Sequence, residues 1–484
     1  MQKINPNLGI NHNANTMKKA FTSIFLFLLL ILLTPSKIKA VYDPAGIPNN
    51  PFGVHVADTS DIKEVNNIIN SNAGDWGYVT FVIQKGERDT NRWQEVFNEM
   101  RRLHLIPIVR IATAPVGKNN VWEKGNPDEI DGWISFLNSL NWVIKNRYVI
   151  IGNEPNHAKE WGGEINPKEY ASYLKIFAQK LKNSSPDFFI LPAGFDASAP
   201  NSKDTMDESL YLQKMIEDPN VFDNIDGWAS HSYPNPDFSG SPESSGKGSI
   251  RTFEWEINYL KFLGVKKDLP VFITETGWTH PTDTLETNLG NKYEEAFKNA
   301  WDNKKIIAIT PFIYKYQDPP FNNFSWISKD GKPYDFVQNI KNLTKQKGEP
   351  IQEERGNILT GILPKIATAN SSYHAILFIK NEGQSIWQTN NLKAIDVNAN
   401  KLKIQSMFPE NVEPNQIGVF LITGNFPGES GNKSYGIAIV SKGKAITNTF
   451  ISNVNIIPQF LSLGEIIDYL KLTISKKLSF IFRY

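Results

Sequence analysis

Between Phe52 and Tyr314 the chain carries eight short apolar runs that lack the polar alternation of a half-exposed strand. They are Phe52–Ala57, Tyr78–Ile83, Leu105–Ile111, Tyr148–Asn153, Phe188–Ala193, Ile225–His231, Pro270–Glu275 and Ile306–Tyr314. Runs of this kind suit parallel strands covered on both faces. Helix-like segments lie between them, including Ile62–Asn70, Trp93–Leu103, Pro167–Leu181, Thr252–Leu263 and Tyr293–Trp301. Eight strand–helix units in about 300 residues predict an α/β fold, a (β/α)8 TIM barrel over residues 41–348. A doubly wound sheet fits less well, because no Gly-rich phosphate loop follows the first run.

The texture changes after Gly348. Residues 358–455 show short strand-like pieces (Ala375–Ile379, Ile417–Thr423, Tyr435–Val440) separated by Asn, Gly and Ser turns. That pattern predicts a smaller all-β sandwich. At the other end, Lys18 and Lys19 precede the apolar stretch Phe21–Leu33, Pro35 closes it, and Ala40 offers a small residue for cleavage. Residues 1–40 therefore read as an N-terminal extension with a signal peptide, and the mature chain as an extracellular or cell-surface protein starting near Val41. An uncleaved anchor is the alternative reading. The tail, residues 456–484, mixes apolar side chains with Lys471, Lys476, Lys477 and Arg483. It is expected to pack as an amphipathic helix on one of the domains, with association at a membrane or cell surface as the alternative.

Composition narrows the chemistry. Lys+Arg and Asp+Glu number 51 and 50, so the chain has no long-range field to hold a nucleic acid. Cysteine is absent, which removes disulfides, Zn–Cys sites and thiol nucleophiles together. There is no His-Glu-x-x-His, the first run has no His-x-His, and no Gly-x-Ser-x-Gly follows a strand. No cofactor and no metal are expected.

Reacting groups of a parallel barrel gather where strands end. Here those ends carry His55, Arg110, Asn153-Glu154-Pro155-Asn156-His157, His231-Ser232-Tyr233, Glu275-Thr276-Gly277-Trp278 and Tyr314 to Tyr316. Glu154 and Glu275 end the fourth and seventh runs, on opposite sides of the expected mouth. Two carboxyls facing across a cleft are the equipment of glycoside hydrolysis. At about 5–5.5 Å and an effective dielectric of about 20, one ionised carboxylate disfavours the other by about 3 kcal/mol, so one holds a proton while the other is charged.

The segments "GNEPNH" (152–157), "FITETGW" (272–278) and "ASHSYP" (229–234) resemble strand ends four, seven and six of the clan A glycoside hydrolases, which include families 5, 17, 39 and 128. The resemblance spans roughly residues 52–345. It implies a retaining enzyme in which Glu154 is the acid/base, Glu275 the nucleophile and Asn153 the partner of the sugar 2-hydroxyl. It carries over Arg110, His231 and Tyr233 to substrate binding less directly. His55 and Trp278 are expected to line the same cleft, and Trp161, Trp278 and Trp326 to offer aromatic surface for sugars or to pack on rim helices. The clan often ends strand eight with Trp, whereas this chain has Phe312-Ile313-Tyr314-Lys315-Tyr316. Residues 378–392, "FIKNEGQSIWQTNNL", resemble immunoglobulin-like modules related to the central domain of an autophagy receptor.

The expected function is hydrolysis of O-glycosidic bonds in a β-linked oligo- or polysaccharide by a two-Glu double displacement. A non-catalytic carbohydrate-binding barrel and a transglycosylase are the alternatives on the same fold.

Overall fold

The computed structural model describes residues 41–117, 121–280, 288–396 and 401–459, with Gly464, Ile467, Asp468 and Lys471 beyond them. The expected export segment and nearly all of the expected tail helix lie outside the described residues. Among the described residues, no helix is long and apolar enough to cross a membrane.

All eight expected strands form. They are β1 (Gly53–His55), β2 (Gly77–Gln84), β3 (Leu105–Ala112), β4 (Arg147–Ile151), β5 (Phe188–Pro192), β6 (Trp228–His231), β7 (Val271–Glu275) and β8 (Ile306–Ile309). A helix follows each: α1 (Ile62–Ile69), α2 (Thr90–Arg102), α3 (Ile130–Ser139), α4 (Pro167–Ser184), α5 (Glu208–Met215), α6 (Thr252–Phe262), α7 (Leu289–Glu295) and α8 (Asp335–Asn342). Local chemistry sets the helix starts. The Asp89 carboxylate accepts from the Asn91 and Arg92 amides to open α2, and Asn166 with Pro167 opens α4.

β1 to β5 pair in parallel in chain order, as do β6 to β8. The two sheets meet at both edges. Phe52 bridges Ile309 in parallel beside β1 and β8, and Asp196 bridges His231 beyond β5. The Ile309 amide donates to the Pro51 carbonyl (2.8 Å), and the Asp226 amide donates to the Ile190 carbonyl (2.9 Å). The eight parallel strands thus succeed one another around a barrel-like ring. Its interior holds aromatic rings from neighbouring and from non-adjacent strands. Tyr148 of β4 meets Tyr78 of β2, Phe189 of β5 and Phe272 of β7 at centroid distances of 6.1, 5.0 and 5.1 Å. These contacts fix the ring's cross-section and so the distance between strand ends.

From Gly356 to Ile457 the regular structure is almost entirely strand. A nine-stranded sheet curls around Leu377, Ile379, Trp387, Phe420, Ile437 and Ile439, all buried. Ser372–Asn381 and Gly431–Ser441 extend two expected pieces at both ends, and Ile417–Asn425 extends the third at its C-terminal end. The hydrogen-bonded path is unbroken because Leu392–Asp396 pairs with both Lys401–Phe408 and Gly431–Ser441. Asn381, fully buried, donates to the carbonyls of Ser385 (2.8 Å) and Val412 (2.9 Å) and accepts from the Gly383 amide (3.0 Å). The Asn-x-Gly and Trp of the resembling segment therefore form one buried turn and the core beside it.

This sheet touches the ring at the N-terminal ends of its strands. Arg102, which closes α2, pairs with Glu413 (2.7 Å), Asn141 donates to the Gly383 carbonyl (2.9 Å), and Gln384 donates to the Ile144 carbonyl (2.9 Å). Glu154 and Glu275 stand at the opposite, C-terminal ends. Trp387→Ala removes the largest side chain of the C-terminal core and is expected to lower stability by roughly 3–5 kcal/mol. Urea unfolding checks this, and turnover of any soluble substrate by the folded variant should match wild type. Unchanged stability would show that Trp387 is not part of a closed core.

Candidate active site

β4 ends at Ile151, two residues before the expected boundary, because Gly152 has φ +92° and Glu154 φ +30°. Gly pays no Cβ cost in that region. The turn brings the Glu154 amide to the Gly194 carbonyl (3.0 Å), which fastens the end of β4 to the end of β5. Gly194 also permits a close approach. A Cβ there would lie 2.2 Å from the His231 ring. His231 is consequently fully packed, with Nδ1 2.9 Å from Glu154 Oε1 and 3.7 Å from Glu275 Oε2.

Glu275 ends β7 and is the most heavily supported group. Arg110 of β3 donates through Nη1 both to Glu275 Oε1 and to Asn153 Oδ1, the latter at 2.7 Å. The Tyr233 hydroxyl donates to Glu275 Oε2 (3.0 Å), and His55 Nδ1 stands 3.8 Å from Oε1. Burial alone would push the Glu275 carboxyl up, but the charges of His231 and Arg110 outweigh it and hold the group at about 2. Burial, then the Arg110 charge, depresses His55 to about 3, so its imidazole stays neutral beside the carboxylate. Burial opposes a charge on His231, yet Glu275 and then Glu154 overcome it and raise its pKa. Burial and the Glu275 charge push the Tyr233 phenol well above its usual range, so it remains a proton donor.

Oxygens of Glu154 and Glu275 and a His231 nitrogen lie within 4.8 Å of one another. Three such atoms could hold a small cation. Here Arg110 and Tyr233 already donate to both Glu275 oxygens, and the raised His231 faces Glu154. The donor set is that of a charge and proton network.

The carboxyls open into a cavity of about 480 Å³. Trp122, Trp133, Tyr173 and Lys159 line one part of its wall, and Phe238, Phe312, Tyr316, Phe321 and Phe324 another. Phe312 packs edge-on against His55 (5.2 Å) and Phe321 (5.3 Å).

Of the residues expected at the site, Glu154, Glu275, Asn153, Arg110, His55 and Tyr233 all line this cavity. Arg110, His231 and Tyr233, expected to bind substrate, bond the two carboxyls directly. Asn153 does not cap a helix, because its side chain joins Arg110 to Glu160. Trp278 is a correction. It is 1% exposed, donates Nε1–H to the Gly240 carbonyl (2.7 Å) and packs on Tyr293 and Trp301 behind the rim. Trp326 is buried likewise, against Tyr293 and Phe336, whereas Trp161, packed on Tyr170 and Tyr173 of α4, still lines the cavity. His280 is bonded to the Ser325 carbonyl in the wall.

Sequence reasoning missed Glu160, Asp196, Trp122 and Phe321, which all line the cavity from the segments that follow β4, β5, β3 and β8. Asp196 pairs with His157 (2.9 Å). Only their position beyond a strand end was readable.

No family model matches the chain, and no curated protein matches it. Solved structures with a related course exist. A family 128 (subgroup II) endo-β-1,3-glucanase from Pseudomonas viridiflava is 12% identical, with 60% of this chain and 97% of that one covered and a TM-score of 0.40. A β-mannanase from Thermomonospora fusca is 12% identical over 61% and 89%, TM-score 0.41. A modular endo-β-1,4-mannanase of family 26 from Cellulomonas fimi is 10% identical over 86% and 96%, TM-score 0.38. These neighbours are glycoside hydrolases. Likeness at this level transfers no residue roles.

The buried titrations make stability pH-dependent in a defined sense. The unfolded chain protonates His55 near 6.5 and Glu275 near 4.5, whereas the folded chain does so only near 3 and 2. Both contributions are lost as pH falls through those windows. His231 acts oppositely. Its contribution is full below about 6.5 and is lost as pH rises through its raised value. His55→Asn should therefore flatten the fall in unfolding free energy between pH 6.5 and 3 by up to one proton. Urea titrations across that range measure it, and an unchanged slope would contradict a neutral His55.

Proposed function

We propose that this chain is an exported retaining glycoside hydrolase, a (β/α)8 barrel with an immunoglobulin-like C-terminal module, acting on a β-linked glycan. The observation that carries the reading is the approach of one carboxyl oxygen of Glu154 to one of Glu275, within 4.8 Å. A retaining pair stands about 5–5.5 Å apart, while an inverting pair needs about 6.5–9.5 Å to admit a water between carboxylate and sugar. The β-linkage rests on the sequence resemblance, and export on Lys18 to Ala40.

In the first step a Glu275 oxygen attacks the anomeric carbon while the bond to the leaving oxygen breaks, and Glu154 supplies that oxygen with a proton. Glu275 is suited to attack because it is ionised under any ordinary condition. Arg110 and Tyr233 fix the plane of its carboxylate, and His231 fixes Glu154. The ester consumes the charge on Glu275. In the second step water attacks the anomeric carbon, gives its proton to Glu154, and releases Glu275.

Wild type should release new reducing ends from at least one member of a panel of β-glucans, mannans and xylans, and Glu275→Gln from none. Glu275→Ala should lose turnover and regain it with azide, giving a glycosyl azide of inverted configuration. Glu154→Ala should lose about 10²–10⁴-fold on polysaccharide and far less on a dinitrophenyl glycoside, whose leaving group needs no proton. Equal losses on both substrates would contradict the assignment. Longer products instead of new reducing ends would identify a transglycosylase, and binding without turnover a carbohydrate-binding barrel. Mass spectrometry of the mature N-terminus tests export; an intact soluble cytoplasmic chain would contradict it.

A further inference from the structure

One wall of the cavity continues the Glu275–Arg110 bond into a chain whose far end, Glu160, the two-carboxyl chemistry does not use. It runs from Glu275 through Arg110 and Asn153 to Glu160. Arg110 Nη1, already on Glu275, donates to Asn153 Oδ1 (2.7 Å), and Asn153 Nδ2 donates to Glu160 Oε2 (3.2 Å). Arg110 can only donate, and at this contact Glu160 accepts, so the two partners assign the amide without ambiguity: oxygen toward Arg110, nitrogen toward Glu160. The Glu160 side chain is 11% exposed, and Lys159 Nζ stands 3.9 Å from its other oxygen. A carboxyl in that environment persists because it is paired.

An amide nitrogen carries two N–H groups in one plane. Glu160 takes one. With the amide oxygen held by Arg110, the plane is fixed, and with it the direction of the second N–H, on a side chain that lines the cavity beside Glu275. We propose that Glu160 is a positioning residue that sets the Asn153 amide so that its second N–H meets a substrate hydroxyl next to the bond being cleaved. This rests on the reading of Asn153 as the partner of the sugar 2-hydroxyl and extends it to a residue outside the resembling strand ends. Arg110 alone would leave the amide free to rotate about its oxygen contact. Glu160 supplies the second fixed point.

A merely structural Glu160 would affect all substrates equally, whereas a positioning Glu160 acts only where the hydroxyl exists. The test compares dinitrophenyl glycosides of the sugar selected by the polysaccharide panel with their 2-deoxy counterparts. For each enzyme it takes the ratio of kcat/KM between the two. Glu160→Leu should lower the wild-type ratio about tenfold, the scale of one well-placed hydrogen bond. Glu160→Gln keeps an acceptor oxygen and should stay within about threefold of wild type. Asn153→Ala should abolish the hydroxyl dependence, and adding Glu160→Leu to it should change the ratio no further. Circular dichroism confirms that each variant is folded, and Glu160→Gln carries the comparison should Glu160→Leu not fold, since a fall in its ratio to the Asn153→Ala level would count against the proposal. A wild-type enzyme indifferent to the hydroxyl would overturn the underlying reading of Asn153. A hydroxyl dependence present in wild type and unchanged in Glu160→Leu would overturn the role of Glu160 alone.

Discussion

A buried negative charge at Glu275 is the constraint around which the cavity is arranged. An ionised carboxylate taken out of water is costly unless it is paired and hydrogen-bonded. Four elements supply the compensation: Arg110 from β3, His55 from the end of β1, and His231 and Tyr233 from β6 and the loop after it. Each lies at the same end of its strand, so no local segment could assemble the set. Only a ring in which the ends of β1, β3, β4, β6 and β7 converge brings them within bonding distance. The interior aromatic layer of Tyr78, Tyr148, Phe189 and Phe272 holds that ring at a fixed width and thereby holds the two carboxyls at a fixed separation.

The charges are divided unequally for a physical reason. His55 and His231 both touch Glu275, yet they titrate in opposite directions. His55 faces Arg110 as well, and with burial that positive neighbour keeps it neutral. His231 faces the Glu275 carboxylate and hydrogen-bonds Glu154, and these contacts outweigh burial and make a proton on it favourable. The result places one fixed cation and one protonatable ring around a carboxylate, with a neutral imidazole filling the remaining side. The C-terminal sheet stays out of this arrangement, since its bonds reach Arg102, Asn141 and Ile144 at the far end of the strands.

Much of this was legible in the sequence because buried parallel strands write continuous apolar runs, and all eight runs became strands. The strand ends then named Glu154, Glu275, Arg110, Asn153, His55, His231 and Tyr233. The exact ends were not legible. β4 and β8 stop earlier than their apolar runs, at Ile151 and Ile309, since the pattern of side chains does not report where φ leaves the extended region. Trp278 and Trp326 were misleading for a related reason. Trp278 next to a strand end has the same sequence signature whether it faces the cavity or the rim helices, and the packing of Tyr293 and Trp301 decides that it faces the helices. Trp122 sits in a two-residue strand and Glu160 and Phe321 in single 3-10 turns, elements too short to carry a period, and their convergence is set by tertiary structure alone.

The central claim is that Glu154 and Glu275 act as a close pair through a covalent intermediate, and the stereochemistry of the product reports on it most directly. Proton NMR during hydrolysis of the active β-glycan follows the anomeric signal of the newly formed reducing end before mutarotation. A pair with oxygens this close, within 4.8 Å, fits the retaining spacing, so the β-anomer should appear first and the α-anomer only later. Initial appearance of the α-anomer would mean inversion and would contradict the account.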